Sequence, residues 1–243
     1  MRVSIIIPTL NERDNIKNLV KRIFALNLPH LEIIMVDDSS RDGTVEITRA
    51  LKKRFPITFI LRPKKMGLGS ALRDGLALAR SRGADIAITM DADGSHDPAR
   101  IPEMILLISP LGGGAPPPSG ETDLVIGSRR IAGGRIVGWG PARTLMSRAA
   151  MEIARRVLGI RARDVTSGFR AYRQRVLDAI DLKTLRSTGY AFQEEMLYRA
   201  ERAGFRIVEL PITFVDRRHG KSKLGIRDIV EFFITVARLK LHA

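Results

Sequence analysis

Two aspartates stand one residue apart directly after an apolar stretch of the chain. Residues 86–90 are apolar apart from Thr89, and Asp91-Ala92-Asp93 follows at once. An isolated carboxylate is costly to bury, so such a pair must be solvated, neutralised by a basic group or bound to a cation. Mg²⁺ and Mn²⁺ are held by one or two carboxylates, with phosphate oxygens completing the shell. The spacing therefore favours a divalent-metal site that also receives a phosphate.

The same segment is also typical of an acidic turn. Asp93-Gly94 suits a left-handed backbone, and Asp97-Pro98 is a pair that commonly opens a helix. Residue types alone leave both interpretations open, helix capping and metal binding.

Short apolar strands alternate with amphipathic helices through the first half of the chain. The pattern predicts strands at 3–8, 32–38, 57–61 and 86–90, and helices at 12–26, 44–55 and 69–82. This alternation predicts an α/β fold whose mainly parallel sheet is covered on both faces. Three of the strands end in polar clusters, at 9–12, 37–40 and 91–93. Ligands bind beyond the carboxyl ends of parallel strands, so we expect these clusters to form one site.

The second half is predicted to complete the same domain. A Gly/Pro-rich stretch at about 111–121 indicates a flexible surface insertion, followed by a strand at 123–127. Helices are expected at 142–158 and 192–203, and a strand at 206–214.

The last helix is amphipathic. Residues 226–241 place Ile226, Ile229, Val230, Phe233 and Ala237 on one face, opposite Asp228, Glu231, Thr235 and Arg238. Such a helix either packs its apolar face on the core or presents that face to a membrane or a membrane-bound partner.

The composition excludes several classes of protein. Cysteine is absent, which rules out disulfides and thiolate zinc sites, and the four histidines show no ligand spacing. A net charge of +15 favours nucleic acid, anionic lipid headgroups or phosphorylated small molecules as partners, or indicates only a basic surface. No signal peptide and no apolar run of about 20 residues is visible, so a cytoplasmic protein without a membrane span is expected.

Two further motifs lie at the predicted strand ends. In 37–44, Asp42 and Thr44 are best explained as helix caps, and Asp38 as a ligand contact. Gly67-Leu68-Gly69 is not a dinucleotide-binding fingerprint, because Leu72 takes the third glycine position and no strand precedes it. These glycines still predict a close backbone approach to a ligand.

Taken in order, these motifs resemble a known family. The segments 8–12, 36–39, 67–69 and 91–93 resemble the nucleotide-sugar half of family-2 glycosyltransferases with the GT-A fold. The second half is similar to dolichol-phosphate mannose synthases, and the matching segments are Gly127-Ser128-Arg129, Gly133-Gly134 with Trp139, Arg143-x-x-x-Ser147, 167–170, Phe192-Gln193-x-Glu195 and 214–225. The resemblance runs through nearly the whole chain.

The resemblance implies a role for each matched residue. Pro8, Leu10, Glu12, Val36 and Asp38 would frame the guanosine; Asp91, Asp93 and Ser95 would surround the metal; Ala92 would line the sugar nucleotide; Arg129, Arg217 and Lys223 would bind phosphate; Arg143 and Ser147 would receive the acceptor phosphate. Asp93 and Arg129 would be the catalytic residues. Two positions depart from the pattern, because Leu10 replaces a frequent aromatic residue and Ser95 is a poorer metal ligand than an amide.

The expected protein is a single GT-A domain at 1–225 with a C-terminal helix at 226–243. The resemblance implies Mg²⁺- or Mn²⁺-dependent, inverting transfer of mannose from GDP-mannose to dolichyl or polyprenyl phosphate. It also implies peripheral association with the cytoplasmic face of a membrane, directly or through a small anchoring subunit, and no nucleic-acid partner. A UDP-sugar donor is the alternative within the fold, and a basic nucleic-acid-binding module is the alternative outside it.

Overall fold

A computed structural model describes residues 1–109, 121–216 and 225–241 of the 243-residue chain. Arg217, Lys223 and all but the last residue of the predicted 111–121 insertion lie outside these ranges. The described strands are β1 (Val3–Thr9), β2 (Leu31–Asp37), β3 (Ile57–Leu61), β4 (Ile86–Thr89), β5 (Leu124–Ser128), β6 (Arg135–Val137), β7 (Arg170–Arg173), β8 (Ile207–Pro211) and β9 (Thr213–Val215).

Eight α-helices and two short 3-10 helices, Pro98–Arg100 and Leu182–Thr184, lie between or after these strands in the described ranges; the α-helices are labelled α1 to α8. They are α1 (Arg13–Phe24), α2 (Thr44–Lys52), α3 (Leu68–Ser81), α4 (Ile101–Ile108), α5 (Pro141–Leu158), α6 (Gln174–Ala179), α7 (Phe192–Arg202) and α8 (Ile226–Leu241). None of the described helices is long and apolar enough to cross a membrane.

The central sheet has seven strands in the order β3-β2-β1-β4-β7-β5-β8. Only β7 runs antiparallel, against β4 on one side and β5 on the other. The strands β6 and β9 form a separate parallel pair. The mixed, mainly parallel single-domain fold predicted from the alternating pattern is confirmed. The predicted strand at 206–214 is wrong in one respect, because it divides into β8 and β9, which belong to different sheets.

Helices cover both faces of this sheet. One apolar cluster joins the sheet to α3, α5, α6, α7 and α8, and the other joins it to α1, α2 and α4. Alternate residues of β1 divide between them, with Ile6 in the first cluster and Ile5 and Ile7 in the second. Burial on two faces explains why these strands are almost continuously apolar in sequence.

The neighbouring positions of β1, β2 and β4 bring their carboxyl ends to one edge of the sheet. Thr9 lies opposite Asp37 in the β1–β2 pair, and Ile6 lies opposite Thr89 in the β1–β4 pair. The three polar clusters predicted to converge therefore do so, and this edge is where the candidate site is built.

Candidate active site

The acidic pair lies in a tight turn immediately after β4. Gly94 adopts a left-handed backbone with φ of 78°, as its sequence predicted. Asp93 Oδ1 accepts the backbone N–H of Ser95 at 3.0 Å. Helix capping falls instead to Asp97, whose carboxylate accepts the N–H of Ala99 at 3.1 Å. Capping therefore does not explain why two acids stand at 91 and 93.

A buried histidine supports the first of these acids. His96 Nδ1 accepts the backbone N–H of Asp91 at 3.1 Å and lies 3.8 Å from Oδ2 of the same residue. Its ring stacks on Phe169, with centroids 5.1 Å apart. Burial lowers the pKa of His96, against the opposing charges of Asp91 and Asp93. The ring is thus neutral at pH 7, and because Nδ1 accepts, its proton lies on Nε2. No role was predicted for His96 from the residue pattern.

Arg129 forms a buried ion pair beside the acidic turn. Its Nε and Nη2 bind the two oxygens of Asp164 at 2.8 and 2.7 Å, and Nη2 also donates to Thr166 Oγ1 at 2.8 Å. Burial acts to lower the pKa of Arg129, but the charge and hydrogen bonds of Asp164, with a contribution from Asp91, raise it overall. Arg129 therefore stays charged close to Asp91. Asp164 could not be predicted as the partner of Arg129, because nothing local relates residues that are 35 positions apart.

The guanidinium of Arg129 also faces two aromatic rings. Its carbon lies 5.3 Å from the ring centre of Phe214 and 5.9 Å from that of Trp139. Arg143 stacks on the same Trp139 ring at 4.1 Å and pairs with Asp216 at 2.9 Å. Rings that hold guanidinium groups this way fix their direction without neutralising them. Two cations are thereby held near the carboxyl end of β4.

Ser147 lies one helical turn after Arg143 on α5, as the i, i+4 spacing predicted. Its Oγ accepts a hydrogen bond from Arg130 Nη2 at 3.0 Å. Arg129 and Arg143 thus share the Trp139 ring, and Ser147 is hydrogen-bonded to Arg130, the neighbour of Arg129; their contact with an acceptor phosphate stays a prediction.

Asp38 anchors the glycine-rich segment. Its two oxygens accept the backbone N–H groups of Met66 and Gly67 at 2.8 and 2.9 Å, and Arg62 pairs with it at 2.7 Å. A carboxylate has about four acceptor sites, so these contacts still leave it able to accept from a ligand. In this structure Asp38 positions the loop, and its contact with a nucleotide stays a prediction.

The close approach predicted at Gly67-Leu68-Gly69 is made to another part of the chain. The N–H of Gly69 donates to the carbonyl of Thr188 at 2.7 Å. A Cβ on Gly69 would lie 2.7 Å from the carbonyl oxygen of Gly189, which no side chain tolerates. The glycines therefore allow α3 to pack on residues 188–189, and their approach to a ligand stays a prediction.

The other residues predicted to contact the sugar nucleotide lie at or just after the carboxyl ends of β1, β2 and β4. Glu12 is buried, and its Oε2 accepts from Asn15 at 2.8 Å. Pro8 and Leu10 are partly exposed, whereas the side chains of Val36 and Ala92 are buried in the core. Val36 and Ala92 can therefore meet a ligand only through the backbone.

Asp42 accepts the first backbone N–H of α2, but the capping role predicted for Thr44 is wrong, because Gly43 is the N-cap residue, without a side-chain cap, and the Thr44 hydroxyl accepts the N–H of Glu12 instead. Asp42 Oδ1 accepts the N–H of Thr44 at 3.0 Å and its hydroxyl at 2.6 Å. Slight burial acts to raise the pKa of Asp42, but the hydrogen bonds from Thr44 and Arg13 outweigh it and lower the pKa.

Helix α8 lies with its polar face toward the protein. Glu231 Oε1 accepts the N–H of Thr188 at 2.8 Å, Thr235 is buried, and Arg238 pairs with Glu195 at 2.9 Å. The predicted apolar face does not pack on the core, because Ile229, Val230, Phe233 and Ala237 are exposed; the helix meets the protein interior through Val236 and Leu239 instead. Polar contacts hold the helix as well, because residues 187–189 present backbone N–H groups that need acceptors.

The outer face of α8 is apolar. Its exposed large hydrophobic residues are Ile229, Val230, Phe233, Ile234 and Leu241. Helix α5, which packs beside α8, exposes Leu145, Met146 and Ile153. We refer to these eight side chains as the α5–α8 apolar surface.

A second carboxyl group lies beneath α8. Glu194 is buried, and neither of its oxygens has a hydrogen-bond partner among the described residues. Burial, followed by the neighbouring charge of Glu195, raises the pKa of Glu194 to about 8, although Arg238 opposes the shift. Glu194 is therefore mostly protonated at neutral pH. Glu195 differs: its burial acts to raise its pKa, but hydrogen bonds from Ser187 outweigh this effect and lower it.

This difference predicts a pH-dependent stability. The folded protein holds a proton on Glu194 that the unfolded chain releases near pH 4.5, so the free energy of unfolding should fall as pH rises from about 4.5 to about 8. Glu194→Gln removes the ionisation, and we expect it to stabilise the protein by at least about 2 kcal/mol at pH 8.5 and far less at pH 5. Urea unfolding at the two pH values measures this. Glu195→Gln, the matched control, should destabilise at both.

Comparison with known proteins decides the family. Residues 4–181 match the family described as glycosyl transferase family 2. The chain belongs to this family. As a family-2 glycosyltransferase it is an enzyme, and the family and GT-A fold predicted from the ordered motifs are confirmed.

Two relatives match the glycosyltransferase over nearly their whole lengths. The undecaprenyl-phosphate mannosyltransferase of Micrococcus luteus is 39% identical over 244 residues, covering 100% of this chain and 96% of the relative. The polyprenol monophosphomannose synthase of Mycolicibacterium smegmatis is 39% identical over 238 residues, covering 97% of this chain and 86% of the relative.

Solved structures share the fold of the glycosyltransferase at lower identity. Glucosyl-3-phosphoglycerate synthase from Mycobacterium tuberculosis, in complex with Mn²⁺, UDP-glucose and phosphoglyceric acid, superposes with a TM-score of 0.68 at 22% identity, covering 98% of this chain and 79% of that one. The same enzyme in complex with Mg²⁺ and UDP superposes with a TM-score of 0.64 at 23% identity, covering 99% of this chain and 78% of that one. At these identities the likeness concerns the fold alone.

Proposed function

We propose that this glycosyltransferase transfers mannose from GDP-mannose to a polyprenyl phosphate such as dolichyl phosphate, with inversion and with Mg²⁺ or Mn²⁺ bound. The observation that carries the proposal is the full-length likeness, at 39% identity, to two relatives whose names specify mannose and a polyprenyl phosphate carrier. The site supports it, because acids for a metal and cations for two phosphate groups lie at one edge of the sheet.

The residues of the acidic turn fit a divalent ion that shares its ligands with a substrate. Asp91 and Asp93 supply carboxylates, and Ser95 supplies a hydroxyl that is buried without a partner. No group of three His, Cys, Asp or Glu side chains that could hold a metal by itself occurs within 1–109, 121–216 and 225–241. Such a partial set suits Mg²⁺ or Mn²⁺ completed by diphosphate oxygens. When bound, the ion would neutralise charge developing on the leaving diphosphate.

The acceptor phosphate would meet Arg143 and Ser147, with Arg129 between it and the donor. In the reaction an acceptor oxygen forms a bond to the anomeric carbon while the bond from that carbon to the diphosphate breaks, and GDP leaves. Attack from the opposite side inverts the carbon, which gives a β-linked product from an α-linked donor.

No strong general base is needed in this scheme. A phosphate monoester has a second pKa of about 6, so the acceptor is largely ionised at neutral pH. His96 is therefore not needed as a base. It is buried and neutral, and its Nδ1 accepts the backbone N–H of Asp91. Its part is to hold the acidic turn in position. Arg129, although Asp164 balances its net charge, would place its guanidinium next to the leaving group and donate hydrogen bonds to it.

Calorimetric titration and a transfer assay test the proposed donor. We expect GDP-mannose to bind in the presence of Mn²⁺ and to transfer mannose to a polyprenyl phosphate, while UDP-glucose does neither. Tight binding of UDP-glucose with sugar transfer to the same acceptor would replace mannose by another sugar in the proposal. If neither GDP-mannose nor UDP-glucose binds in a metal-dependent way, the proposed function is wrong.

The acceptor lipid would reach the site from a membrane on which the α5–α8 apolar surface rests. This surface is formed by two neighbouring helices, and α5 also carries Arg143 and Ser147. A helix that turns an apolar face outward lies in a membrane interface or binds an apolar partner. Direct contact with the membrane, or with a small anchoring subunit in it, is therefore part of the proposal.

Vesicle flotation tests the surface. Ile234 is 59% exposed on α8, and Leu106 is 47% exposed on α4, which covers the opposite face of the sheet. Burial of an isoleucine in lipid contributes about 1.5–3 kcal/mol, so Ile234→Gln should lower the vesicle-bound fraction about tenfold or more, and Leu106→Gln should leave it unchanged. Equal effects of the two changes, or flotation of neither variant nor wild type, would contradict direct membrane contact.

A further inference from the structure

A cavity of about 590 Å³ lies beside Arg129, between the β5–β6 connection and α5. Its lining is dominated by arginine, with one acid among the lining residues: Arg129, Arg130, Arg148, Arg155, Arg163 and Glu152. Ile131, Gly134 and Met151 complete the lining. A concave surface with this composition concentrates positive potential and attracts anions.

Two of the five arginines are neutralised within the protein. Arg129 is paired with Asp164 at 2.7 Å, and Arg155 is paired with Glu152 at 2.7 Å. Both are therefore unavailable as uncompensated charges. The positive potential of the cavity comes from the other three.

Arg130, Arg148 and Arg163 have no carboxylate partner in the part of the chain that the structure describes. Arg130 Nε is buried without an acceptor. Burial lowers the pKa of Arg130, and the charges of Arg129 and Arg148 lower it further, against the opposing effect of Asp164. These like charges repel one another, so an anion placed between them would relieve the repulsion and satisfy the buried N–H group.

The cavity is separate from the predicted acceptor-phosphate residues. Arg143 and Ser147 are not among its lining residues, and Arg143 is held by Trp139 and Asp216. The only hydrogen bond described between the two places runs from Arg130 Nη2 to Ser147 Oγ at 3.0 Å. Neither the donor nor the acceptor in the proposed reaction accounts for Arg148 and Arg163.

We propose that this arginine cavity is a third phosphate-binding site, distinct from those of the donor diphosphate and the acceptor phosphate. Guanidinium groups bind phosphate oxygens through paired, charge-assisted hydrogen bonds, and three free arginines around one cavity suit a phosphate group better than a carboxylate. The phosphate belongs either to a soluble anion or to an anionic lipid headgroup at the membrane beside α5.

The test compares two double variants of the full chain that lose the same charge. Arg148→Gln with Arg163→Gln removes two arginines of the cavity. Arg156→Gln with Arg161→Gln removes one from the same helix and one from the same loop, and neither residue lines the cavity. Both doubles are made in an Arg143→Ala background, which removes the predicted acceptor-phosphate ligand. Thermal unfolding confirms that each variant is folded.

Inorganic phosphate is titrated by calorimetry at constant ionic strength. Binding to phosphatidylcholine vesicles is measured with and without phosphatidylglycerol. We expect the cavity variant to bind inorganic phosphate or phosphatidylglycerol vesicles about tenfold more weakly or worse, which is the effect of losing one charge-assisted hydrogen bond. The affinity of the control variant should stay within about twofold of that of the Arg143→Ala background. A loss for inorganic phosphate identifies a soluble anion site, and a loss confined to phosphatidylglycerol vesicles identifies a headgroup site. Equal losses in both variants, or no difference between them in either arm, would overturn the proposal.

Discussion

Replacing Asp93 with alanine is expected to abolish Mn²⁺-dependent binding of GDP-mannose and to lower the rate of mannose transfer by about 10³-fold or more. A bound metal contributes several kcal/mol to stabilising the charge on a leaving diphosphate, and each 1.4 kcal/mol corresponds to a factor of about ten in rate. The fold should survive, because Asp93 is partly exposed in a turn and belongs to neither apolar cluster, and thermal unfolding of the variant checks this. Calorimetry with and without Mn²⁺, and a transfer assay, give the two quantities.

Asp97→Ala is the matched control for this change, since it removes an acid from the same segment. Asp97 accepts the N–H of Ala99 and pairs with Arg22 at 2.6 Å on the surface. Its loss should cost about 1 kcal/mol of unfolding free energy through the missing cap and leave donor binding unchanged. Donor binding that persists in Asp93→Ala, or is lost equally in both variants, would exclude the metal site at the acidic turn.

The second large effect is expected from Arg129→Met. This change leaves Asp164 fully buried without its partner, and removing one member of a buried ion pair costs about 3–5 kcal/mol. Burial alone would raise the pKa of Asp164, and it is the charge and hydrogen bonds of Arg129 that lower it. The free energy of unfolding, measured in urea, should therefore fall by that amount at pH 7, and by less at acid pH, where Asp164 can take up a proton.

Arg129→Met combined with Asp164→Leu separates stability from catalysis. Replacing both members of a buried pair with apolar residues is often neutral, so the double variant should regain most of the lost stability. It should still be inactive, since the guanidinium of Arg129 would donate hydrogen bonds to the donor diphosphate. A stable double variant that transfers mannose at the wild-type rate would show that Arg129 is structural only.

Much of the fold and part of the site follow from local sequence. The alternation of apolar strands with helices predicted the parallel sheet, and the polar residues after β1, β2 and β4 predicted where a site would form. These predictions hold because parallel strands carry their carboxyl ends to one edge whatever the rest of the chain does. The i, i+4 spacing of Arg143 and Ser147 is equally local.

Contacts between distant segments could not be predicted in this way. The partner of Arg129 is Asp164, and the neighbour of Gly69 is Thr188, more than a hundred residues away. A glycine indicates that something approaches closely, but the fold decides what does. His96 likewise acquires its place only when Phe169 and Phe214 close around it.

The orientation of α8 shows the same division. Its sequence determines two faces, one apolar and one polar, because an α-helix repeats every 3.6 residues. The sequence does not determine which face turns inward. The tertiary structure decides this, because the N–H groups of Thr188 and Gly189 need an acceptor that Glu231 supplies, at 2.8 and 3.2 Å. Periodicity is a property of neighbouring residues, whereas unsatisfied hydrogen-bond donors arise only when distant segments meet.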